Sequence, residues 1–572
     1  MGLVLAWPYV TNRFFPTEKT ANSISANSDP KEPKAASDAK LAPVSAETPK
    51  AAQKAAAATE AAAPSVKLPE LVPVVLENEF ASFKIDPNTA SVSEITLNKI
   101  KTADRKSAIG IGGKGYPANA FDISGLDGWT LVDCKALQAS GSKDSVTVER
   151  SFRKGAESLK VSESFKLGAS YLLSCTMTLS NGGSAAFKIP ALAISAGGLP
   201  PLHWLSGDKV FNDPHRVEFC LSANKHVRSF DPSIADEKFK AERTVNPLDW
   251  VGSSNKYFTM LLALPEGTAF GAGNAISREE SSGNDDGKAV NYFIPAISGV
   301  FKEIALAPGE KTSFDLNLYA GPKEASLLKA LLPPSAQDVL HLSYWSWFEF
   351  LARPLLWLLN FLHSYCGSYG VSIILLTLIV RIVFWPATQA ANNSMRKMQK
   401  VKPLMDSIKE KYKGDTQTMN AKMMELYKKE KINPLGGCLP LLLQLPVFFA
   451  LYSTLDAAVE LRQIPFLWAT DLSRPDLVGP VLLFGLGIHP FIIMMTILMF
   501  IQQKLTPTMG DPMQQKIMMA MPLVMLVMLY SLPSGLTLYW TVSNAFSIIQ
   551  LIYTLNLNKR DEAKQSLKSK PA

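Results

Sequence analysis

The chain is poor in the residues that build redox, metal and nucleotide chemistry. Its five cysteines among 572 residues are Cys134, Cys175, Cys220, Cys366 and Cys438. They form no CxxC pair, so we expect neither a metal site nor a disulfide framework. A single disulfide between two of the first three cysteines remains an alternative. The sequence contains no GxxxxGK[ST] motif for a nucleotide phosphate. We therefore predict no catalytic residues, no cofactor and no metal.

Charge is also scarce, at 19% of the residues against 47% hydrophobic residues. This balance fits a chain with a soluble part and a membrane part. Residues 1–16 are predicted to be the remnant of an N-terminal membrane anchor, but a signal-like segment or a tail would have the same composition. Residues 17–67 are rich in Ala, Lys, Ser, Pro and Glu, which is typical of a flexible linker.

Residues 68–332 alternate polar and apolar side chains over short stretches. Examples are SVTVERSF (145–152), LKVSESFKL (159–167) and KTSFDLNLYAG (311–321). Clusters of Gly, Asn, Asp, Ser and Pro separate these stretches. A period of two with frequent turn signals is typical of antiparallel strands. We therefore predict an all-β domain over 68–332, built as a sandwich.

The chain becomes membrane-like after Pro333. Residues 333–366 include YWSWFEFLARPLLWLLNFLHSY, which we predict to be an amphipathic helix lying in the membrane interface. The segment 367–555 is then predicted to be an α-helical membrane core with five transmembrane spans. The candidate spans are Gly370–Thr388, Leu435–Leu455, Ile488–Leu505, Ile517–Leu532 and Leu536–Leu555.

The placement of lysine and arginine predicts the orientation of these spans. Residues 392–433, between the first two spans, hold eleven Lys or Arg against five Asp or Glu. The tail, 556–572, is basic as well. Cytoplasmic loops carry an excess of Lys and Arg, so both segments are predicted to be cytoplasmic. The all-β domain precedes the first span and is then expected outside the cytoplasm.

One arginine, Arg381, lies inside the first span, in the stretch LLTLIVRIVFWPAT. The five spans contain no Asp or Glu, and the nearest carboxylate is Asp456 at the end of the second span. A charge within the bilayer usually pairs with a carboxylate, a carbonyl or water, and it marks a functional site. Two interpretations stay open at this point. Arg381 either snorkels to the cytoplasmic surface or faces a wet groove.

Polar side chains in the spans favour the groove. Thr377 lies one helical turn before Arg381, on the same face. The others are Gln444, Gln502, Gln503, Ser543, Asn544 and Gln550. Each alone could bond a neighbouring helix. Together with Arg381 they indicate a hydrophilic groove that suits a guest with polar or acidic groups.

Residues 392–433 are predicted to form a helical hairpin, because MRKMQKVKPLMDSIKEKY and NAKMMELYKKEK are amphipathic segments separated by KGDT. Their methionines suit varied partners. Their basic residues attract anionic lipids or, without sequence specificity, the RNA of a ribosome, and both interpretations stay open. The predicted docking residues are Arg396, Lys397, Lys400, Lys428 and Lys429. We expect no sequence-specific contact with nucleic acid.

Several segments resemble the YidC/Oxa/Alb family of membrane protein insertases. They are INPLGGCLPLLLQLPVFFALYSTL (432–455), VELRQIPFLWATDLS (459–473), DPMQQKIMMAMP (511–522) and LPSGLTLYWTVSN (532–544). The TLIVR stretch with Arg381 is similar to the family too. YAGPKE (319–324) resembles the end of the periplasmic domain of the Gram-negative type. The resemblance spans Pro333 to Leu555 and extends, less closely, over the all-β domain.

The resemblance implies a five-helix insertase core around a groove open to the cytoplasm and the lipid. The family's groove arginine matches Arg381, and a nearby polar residue matches Thr377. Its client-contacting aromatic position falls on Trp540, beside Tyr539. Members often have tyrosine there, so no hydroxyl role carries over to Trp540. The predicted groove residues are Arg381, Thr377, Gln444, Tyr539, Trp540 and Asn544.

The family also implies a biological setting. Nascent membrane proteins would be inserted into the bacterial inner membrane, alone or with the Sec translocon, and the ribosome and anionic lipids would be further partners. The protein would not be an enzyme. The domain at 68–332 would be a periplasmic β-supersandwich, and residues 1–16 would match only the end of the family's first span.

A transporter and a sugar-binding or sugar-processing enzyme are the competing classes. A transporter should show intramembrane acids or internal repeats. A sugar-processing enzyme needs a clustered acid–base pair. The sequence shows neither feature.

Overall fold

A computed structural model describes the protein from residue 71 to residue 568. The described residues exclude 114–115, 117, 139–142, 208–212, 214–215, 226, 231–240, 245, 284–288, 343–348, 431–438, 480–486 and 507–511. They belong to one unit of the fold, Leu68–Ala572. The predicted anchor remnant (1–16) and linker (17–67) lie outside the described residues.

The strands of the first half of the chain form two nine-stranded antiparallel sheets and a two-stranded sheet. The strands are β1 (Val74–Glu77), β2 (Ala81–Asp86), β3 (Ser91–Lys101), β4 (Ala108–Gly112), β5 (Ala120–Ser124), β6 (Thr130–Leu137), β7 (Ser145–Lys154), β8 (Glu157–Leu167), β9 (Leu172–Asn181), β10 (Phe187–Ile189), β11 (Ala193–Gly198), β12 (Arg216–Leu221), β13 (Val227–Phe230), β14 (Ala241–Thr244), β15 (Leu248–Ser254), β16 (Phe258–Ala263), β17 (Ala272–Gly283), β18 (Ala289–Val300), β19 (Ile304–Leu306) and β20 (Lys311–Pro322). The strand order of the first large sheet is β1-β2-β3-β5-β11-β18-β17-β14, and β4 also pairs with β3. The order of the second is β13-β12-β15-β16-β20-β9-β8-β7-β6, and β10 pairs with β19 in the small sheet.

The alternation in the sequence explains how the two large sheets bury one core. In β7, Val146, Val148 and Phe152 are buried, while the alternate residues Thr147, Glu149 and Ser151 are only partly buried. Val146 pairs with Phe165 of β8, which is also fully buried. One hydrophobic cluster joins such residues from both sheets, so the prediction of an all-β sandwich is confirmed. We call residues 71–322 the sheet domain.

One inward position of β7 carries a charge. Arg150 lies on the face of Val148 and Phe152, and its guanidinium bonds both carboxylate oxygens of Glu163 on β8. The Nη2–Oε2 distance is 2.9 Å, and both side chains are buried. A buried ion pair survives only when its geometry compensates for lost solvation. The bidentate contact between Arg150 and Glu163 supplies that geometry.

Cysteines in the sheet domain remain reduced. Cys134, Cys175 and Cys220 are buried free thiols, so the disulfide that the sequence left open is not formed. The thiol of Cys134 donates to the carbonyl oxygen of Pro87 at 2.7 Å. Cys366 is free and exposed, and Cys438 lies outside the described residues.

Charged groups are buried where the sheet domain meets the following segment. Lys323 follows β20 directly, and its ammonium donates to the carbonyl oxygen of Asn255 at 3.2 Å. Glu218 of β12 is fully buried and contacts the ring of His341. His341 ends a short 3₁₀ helix, Pro334–Leu340. These contacts fasten the end of the sheet domain to the chain that leads into the helices.

Lys323 gives the sheet domain a pH dependence. Burial, with a smaller effect from Arg216, lowers the pKa of Lys323 from 10.5 to about 8. Above that pH the folded state releases a proton that the unfolded state still holds, so the free energy of unfolding rises with pH up to 10.5. We expect the stability difference between the wild type and Lys323→Met to shift toward the wild type by about 2 kcal/mol from about pH 8 to 10. Denaturant unfolding at several pH values measures it, and a constant difference would contradict it.

Helices make up the second half of the described chain. They are α1 (Leu202–Ser206, within the sheet domain), α2 (Ala325–Leu331), α3 (Glu349–Cys366), α4 (Tyr369–Val383), α5 (Trp385–Lys400), α6 (Lys402–Lys411), α7 (Thr416–Lys429), α8 (Leu439–Ala457), α9 (Pro490–Leu505), α10 (Pro512–Met528) and α11 (Ser534–Lys568). A helical region after the sandwich is therefore confirmed. The helix α11 continues past Leu555 through most of the predicted tail, 556–572.

The predicted first span, Gly370–Thr388, is not one straight helix. The chain bends by 57° between α4 and α5. Pro386 stands in the first turn of α5. Its ring removes one backbone donor and clashes with the carbonyl four residues earlier, which breaks the helix at Phe384. Within the described residues, α4 and α5 together have the length and apolar composition to cross a bilayer, and no helix does so singly.

The basic segment 392–433 contains the end of α5, then α6 and α7. Asp415 caps α7, because its carboxylate accepts from the backbone N–H of Thr418 at 3.0 Å. Buried Met398, Val401 and Met405 pack with Met423, Leu426 and Tyr427. This small cluster is separate from the main core, so the segment holds together by itself.

The connection from α8 to α9 packs on the helices. We call its residues 458–479 the α8–α9 loop. The ring of Phe466 in this loop lies against Gly370, in the first turn of α4. A Cβ atom at Gly370 would sit 2.1 Å from that ring, closer than any real contact. The position therefore requires glycine as long as Phe466 stays in place.

Gly370→Ala is expected to destabilise the protein by about 1–3 kcal/mol, because the Phe466 ring must move out of its site. Thermal unfolding in detergent measures the loss, and limited proteolysis tests whether the α8–α9 loop is released. Removing the ring in the double variant Gly370→Ala with Phe466→Ala should remove the clash, because the atoms nearest the new Cβ are Cγ and Cδ of Phe466. An unchanged melting temperature for Gly370→Ala alone would show that the loop does not pack on α4 in this way.

Candidate functional site

Two helices from distant parts of the chain bring the predicted arginine to a partner. Arg381 lies in the last turn of α4, where unpaired carbonyl groups favour a cation. Its Nε donates to the hydroxyl of Ser543 on α11 at 2.8 Å, and its Nη2 contacts the same oxygen. Arg381 is half-buried and Ser543 is fully buried. The arginine is therefore held by a neutral group.

The described residues give Arg381 no carboxylate partner. Asp456, the acid that directly follows the predicted second span, instead accepts from Lys256 of the sheet domain at 2.6 Å. A guanidinium has five N–H donors, and one hydroxyl oxygen uses only part of them. The positive charge is thus positioned but not neutralised. Such a group can receive a carboxylate or another acceptor from a guest.

Thr377 is buried one turn before Arg381. Its hydroxyl donates to the carbonyl oxygen of Ile373 at 2.6 Å, within α4 itself. Tyr539 lies one turn before Ser543 on α11 and is also buried. Trp540 is half-buried, and its ring lies 4.8 Å from that of Phe448 on α8. Arg381, Tyr539 and Trp540 therefore gather where α11 meets α4 and α8.

Asn544 lies on a different face of α11 from Ser543. Helical spacing puts it on the face of α11 with Thr541, whose hydroxyl donates to the carbonyl oxygen of Phe491 on α9 at 3.1 Å. Asn544 is buried, and its amide nitrogen has no hydrogen-bond partner among the described residues. Gln444 lies within α8, but its side chain is outside what the structure describes.

Polar contacts continue along α11 beyond Ser543. The amide of Gln550 donates to the carbonyl oxygen of Trp385 at 3.3 Å, and the hydroxyl of Thr554 donates to Gln389 at 2.9 Å. Both partners lie on α5, just after the bend. A polar seam between α11 and the α4–α5 pair therefore runs from Arg381 toward the basic segment.

Large apolar side chains stay exposed on two further helices. On α9 and α10 they are Ile493, Met494, Ile497, Ile501, Met518, Met519, Met521, Leu523, Val524, Val527 and Met528. Exposed apolar area of this extent marks a lipid or protein contact in a folded chain. The many methionines give the surface adaptable side chains.

Four of the five predicted docking residues have described side chains. Lys397 and Lys400 are exposed near the end of α5, and Lys428 and Lys429 are exposed in the last turn of α7. Cations at helix ends are favoured by the helix dipole. The side chain of Arg396 lies outside what the structure describes.

Sequence reasoning named Ser543 among several polar residues but did not select it as the partner of Arg381. The two residues are 162 positions apart, so spacing could not pair them. The interface between the sheet domain and the α8–α9 loop was not predicted either. The only signal for it was Asp456, an acid directly after an apolar span and without a partner nearby in the sequence.

Two family models match successive parts of the chain. The family model of the YidC periplasmic domain matches residues 74–358, and that of the 60Kd inner membrane protein matches residues 361–562. A solved structure, active YidC insertase with the first transmembrane domain resolved, is 19% identical and covers 84% of this chain and 92% of its own, with a TM-score of 0.34.

Curated relatives extend the match. The membrane protein insertase YidC of Geobacter sulfurreducens is 38% identical over 400 residues, which are 69% of this chain and 68% of that protein. The YidC of Syntrophobacter fumaroxidans is 42% identical over 313 residues, 53% of each chain. The match thus spans about two thirds of the first relative and about half of the second. The chain belongs to the YidC family of membrane protein insertases.

Proposed function

We propose that this protein inserts nascent membrane proteins into the bacterial inner membrane through a hydrophilic groove between α4, α8 and α11. The observation that carries the proposal is the contact of Arg381 with Ser543, a half-buried cation held by a hydroxyl. A charge inside the bilayer is costly, and residues that carry one usually belong to a functional site. The groove would be open to the cytoplasm and to lipid, and the protein would also act as a folding chaperone, alone or with the Sec translocon.

The mechanism follows from the charges. A client enters from the cytoplasm, and Arg381 attracts acidic groups of the segment to be translocated. Water in the groove lowers the cost of moving this short polar segment part of the way across. The apolar part of the client then slides along the exposed methionine-rich side chains and passes into lipid. Apolar burial supplies the free energy, and the membrane potential adds to it when the segment is charged.

The surrounding elements would serve this pathway. The aromatic side chains of Phe350, Trp357, Phe361 and Tyr365 form an exposed row along α3, as expected of a helix in the membrane interface. The lysines of α5 and α7 would meet anionic lipids or the ribosome. The sheet domain would be periplasmic and the basic segment 392–433 cytoplasmic.

Photo-crosslinking tests the groove directly. A photo-reactive phenylalanine analogue in place of Trp540 keeps an aromatic ring at a half-buried position. With ribosome-bound nascent chains of a single-span client, we expect a crosslink between position 540 and the client. Ile552 is the matched control, because it lies nine residues after Ser543 and faces the opposite side of α11. A crosslink at 552 without one at 540 would place the client path elsewhere.

A further inference from the structure

An ion pair joins the sheet domain to the end of α8, directly before the α8–α9 loop. The ammonium of Lys256, between β15 and β16, contacts the carboxylate of Asp456 in the last turn of α8 at 2.6 Å. The side chains are 6% and 14% exposed, so solvent screens the pair only weakly. A buried pair of this type loses much more when one partner is removed than an exposed pair does.

A second set of contacts joins the turn after β3 to the same loop. The guanidinium of Arg105 donates to the carbonyl oxygen of Thr470 at 2.5 Å and to that of Gln463 at 3.4 Å. In return, the amide of Gln463 donates to the carbonyl oxygens of Thr102 at 2.7 Å and Lys101 at 3.2 Å. The side chain of Arg105 therefore bonds the backbone of the loop, and the side chain of Gln463 bonds the backbone of the turn after β3.

The backbone is strained at both ends of this contact. Arg105 and Gln463 each have a φ of 61°, in the left-handed region that residues with a side chain seldom adopt. Such conformations persist where the surrounding structure fixes them. Here the reciprocal hydrogen bonds hold Arg105 and Gln463 in this left-handed conformation.

The same loop determines where two helices begin. The N–H groups of Ser534 and Gly535, at the start of α11, donate to the carbonyl oxygens of Arg474 at 2.7 Å and Leu472 at 2.9 Å. Asp476 accepts from the N–H of Phe491, in the first turn of α9, at 2.6 Å. As described above, the loop also packs on the first turn of α4 through Phe466.

We infer that the sheet domain positions the groove through the α8–α9 loop, with Lys256, Arg105 and Gln463 as positioning residues for insertion. The loop contacts the starts of α4 and α11, and these helices carry Arg381 and Ser543. Holding both starts fixes the separation at which the arginine and the hydroxyl meet. This inference rests on the proposed function of Arg381.

Distance measurement tests the positioning without requiring insertion activity. Spin labels at Val383 on α4 and Ile549 on α11, both exposed, report the separation of the two helices. We expect a narrow distribution of distances between the two labels in the wild type and a broader distribution in Lys256→Met and in Gln463→Ala. The reversed pair, Lys256→Asp with Asp456→Lys, should restore the narrow distribution of distances. Lys188→Met, which breaks an exposed ion pair with Glu303, is the control and should have no effect.

Insertion assays separate positioning from general damage. Lys256→Met should reduce insertion of a client with an acidic translocated segment by about threefold, within the two- to thirtyfold range of such couplings. A client with Asn and Gln in place of those acids should be much less affected. Unchanged distances, or an equal loss for both clients, would overturn the inference. If instead Arg381→Ala leaves the acidic client unaffected, the proposed function fails, whatever Lys256→Met does.

Discussion

Replacing Arg381 with alanine is expected to reduce the insertion of single-span clients with acidic translocated segments about tenfold, or about 1.4 kcal/mol. The attraction between two unit charges 4 Å apart is about 4 kcal/mol near a protein surface. Loss of solvation cancels part of this attraction. Arg381→Lys keeps the charge and should retain most of the activity. Protection of nascent chains from protease in proteoliposomes measures insertion.

Two controls define the role of the charge. A client whose acidic residues are replaced by Asn and Gln should insert equally well with either protein. Lys504→Ala removes an exposed cation from the last turn of α9 and should not discriminate between the clients. If Arg381→Ala treats both clients as the wild type does, Arg381 merely snorkels and the client path follows the apolar faces.

Glu163→Ala is expected to lower the free energy of unfolding of the sheet domain by about 3–5 kcal/mol, because it leaves the charge of Arg150 buried without a partner. Burial raises the pKa of Glu163 to about 7, and Arg150 opposes that rise. The measurement therefore belongs at about pH 8, where the carboxyl is mostly ionised. Denaturant unfolding of the full chain in detergent, followed by circular dichroism of the strands, gives the value.

The double variant Arg150→Met with Glu163→Leu separates charge from packing. It removes both charges and keeps apolar volume, and replacements of this type are often neutral or stabilising. We expect it to recover most of the loss seen in Glu163→Ala. A double variant as unstable as the single one would mean that the shape of the ion pair, and not its charge, maintains the core.

Local pattern predicted the elements well because each strand or helix carries its own periodicity. The stretch SVTVERSF alternates as β7 does, and that alternation also places Arg150 on the buried face. The charge there could have been noticed, but its partner could not, because pairing with Glu163 depends on the register between β7 and β8. The bend at Phe384 was readable from Pro386. The predicted first span nevertheless ran through it, since apolar composition continues on both sides.

Long-range pairs were beyond the reach of the sequence. Arg381 meets Ser543 162 positions away, and Lys256 meets Asp456 200 positions away. No spacing rule links residues on helices or loops whose mutual placement depends on the whole fold. The sequence could say only that an arginine within a span needs a partner and that the spans offer no carboxylate. Packing of α11 on α4 was needed to identify the hydroxyl.

The reactivity of the buried thiols reports whether the sheet domain is folded. Burial raises the pKa of Cys175 well above that of an ordinary thiol, so it holds its proton as well as being shielded. A thiol-specific reagent can modify it only when the strands around it separate, whereas exposed Cys366 reacts at once in the same molecule. In an oxidising compartment this difference imposes an order on events: the sandwich must close before a disulfide-forming catalyst reaches these cysteines.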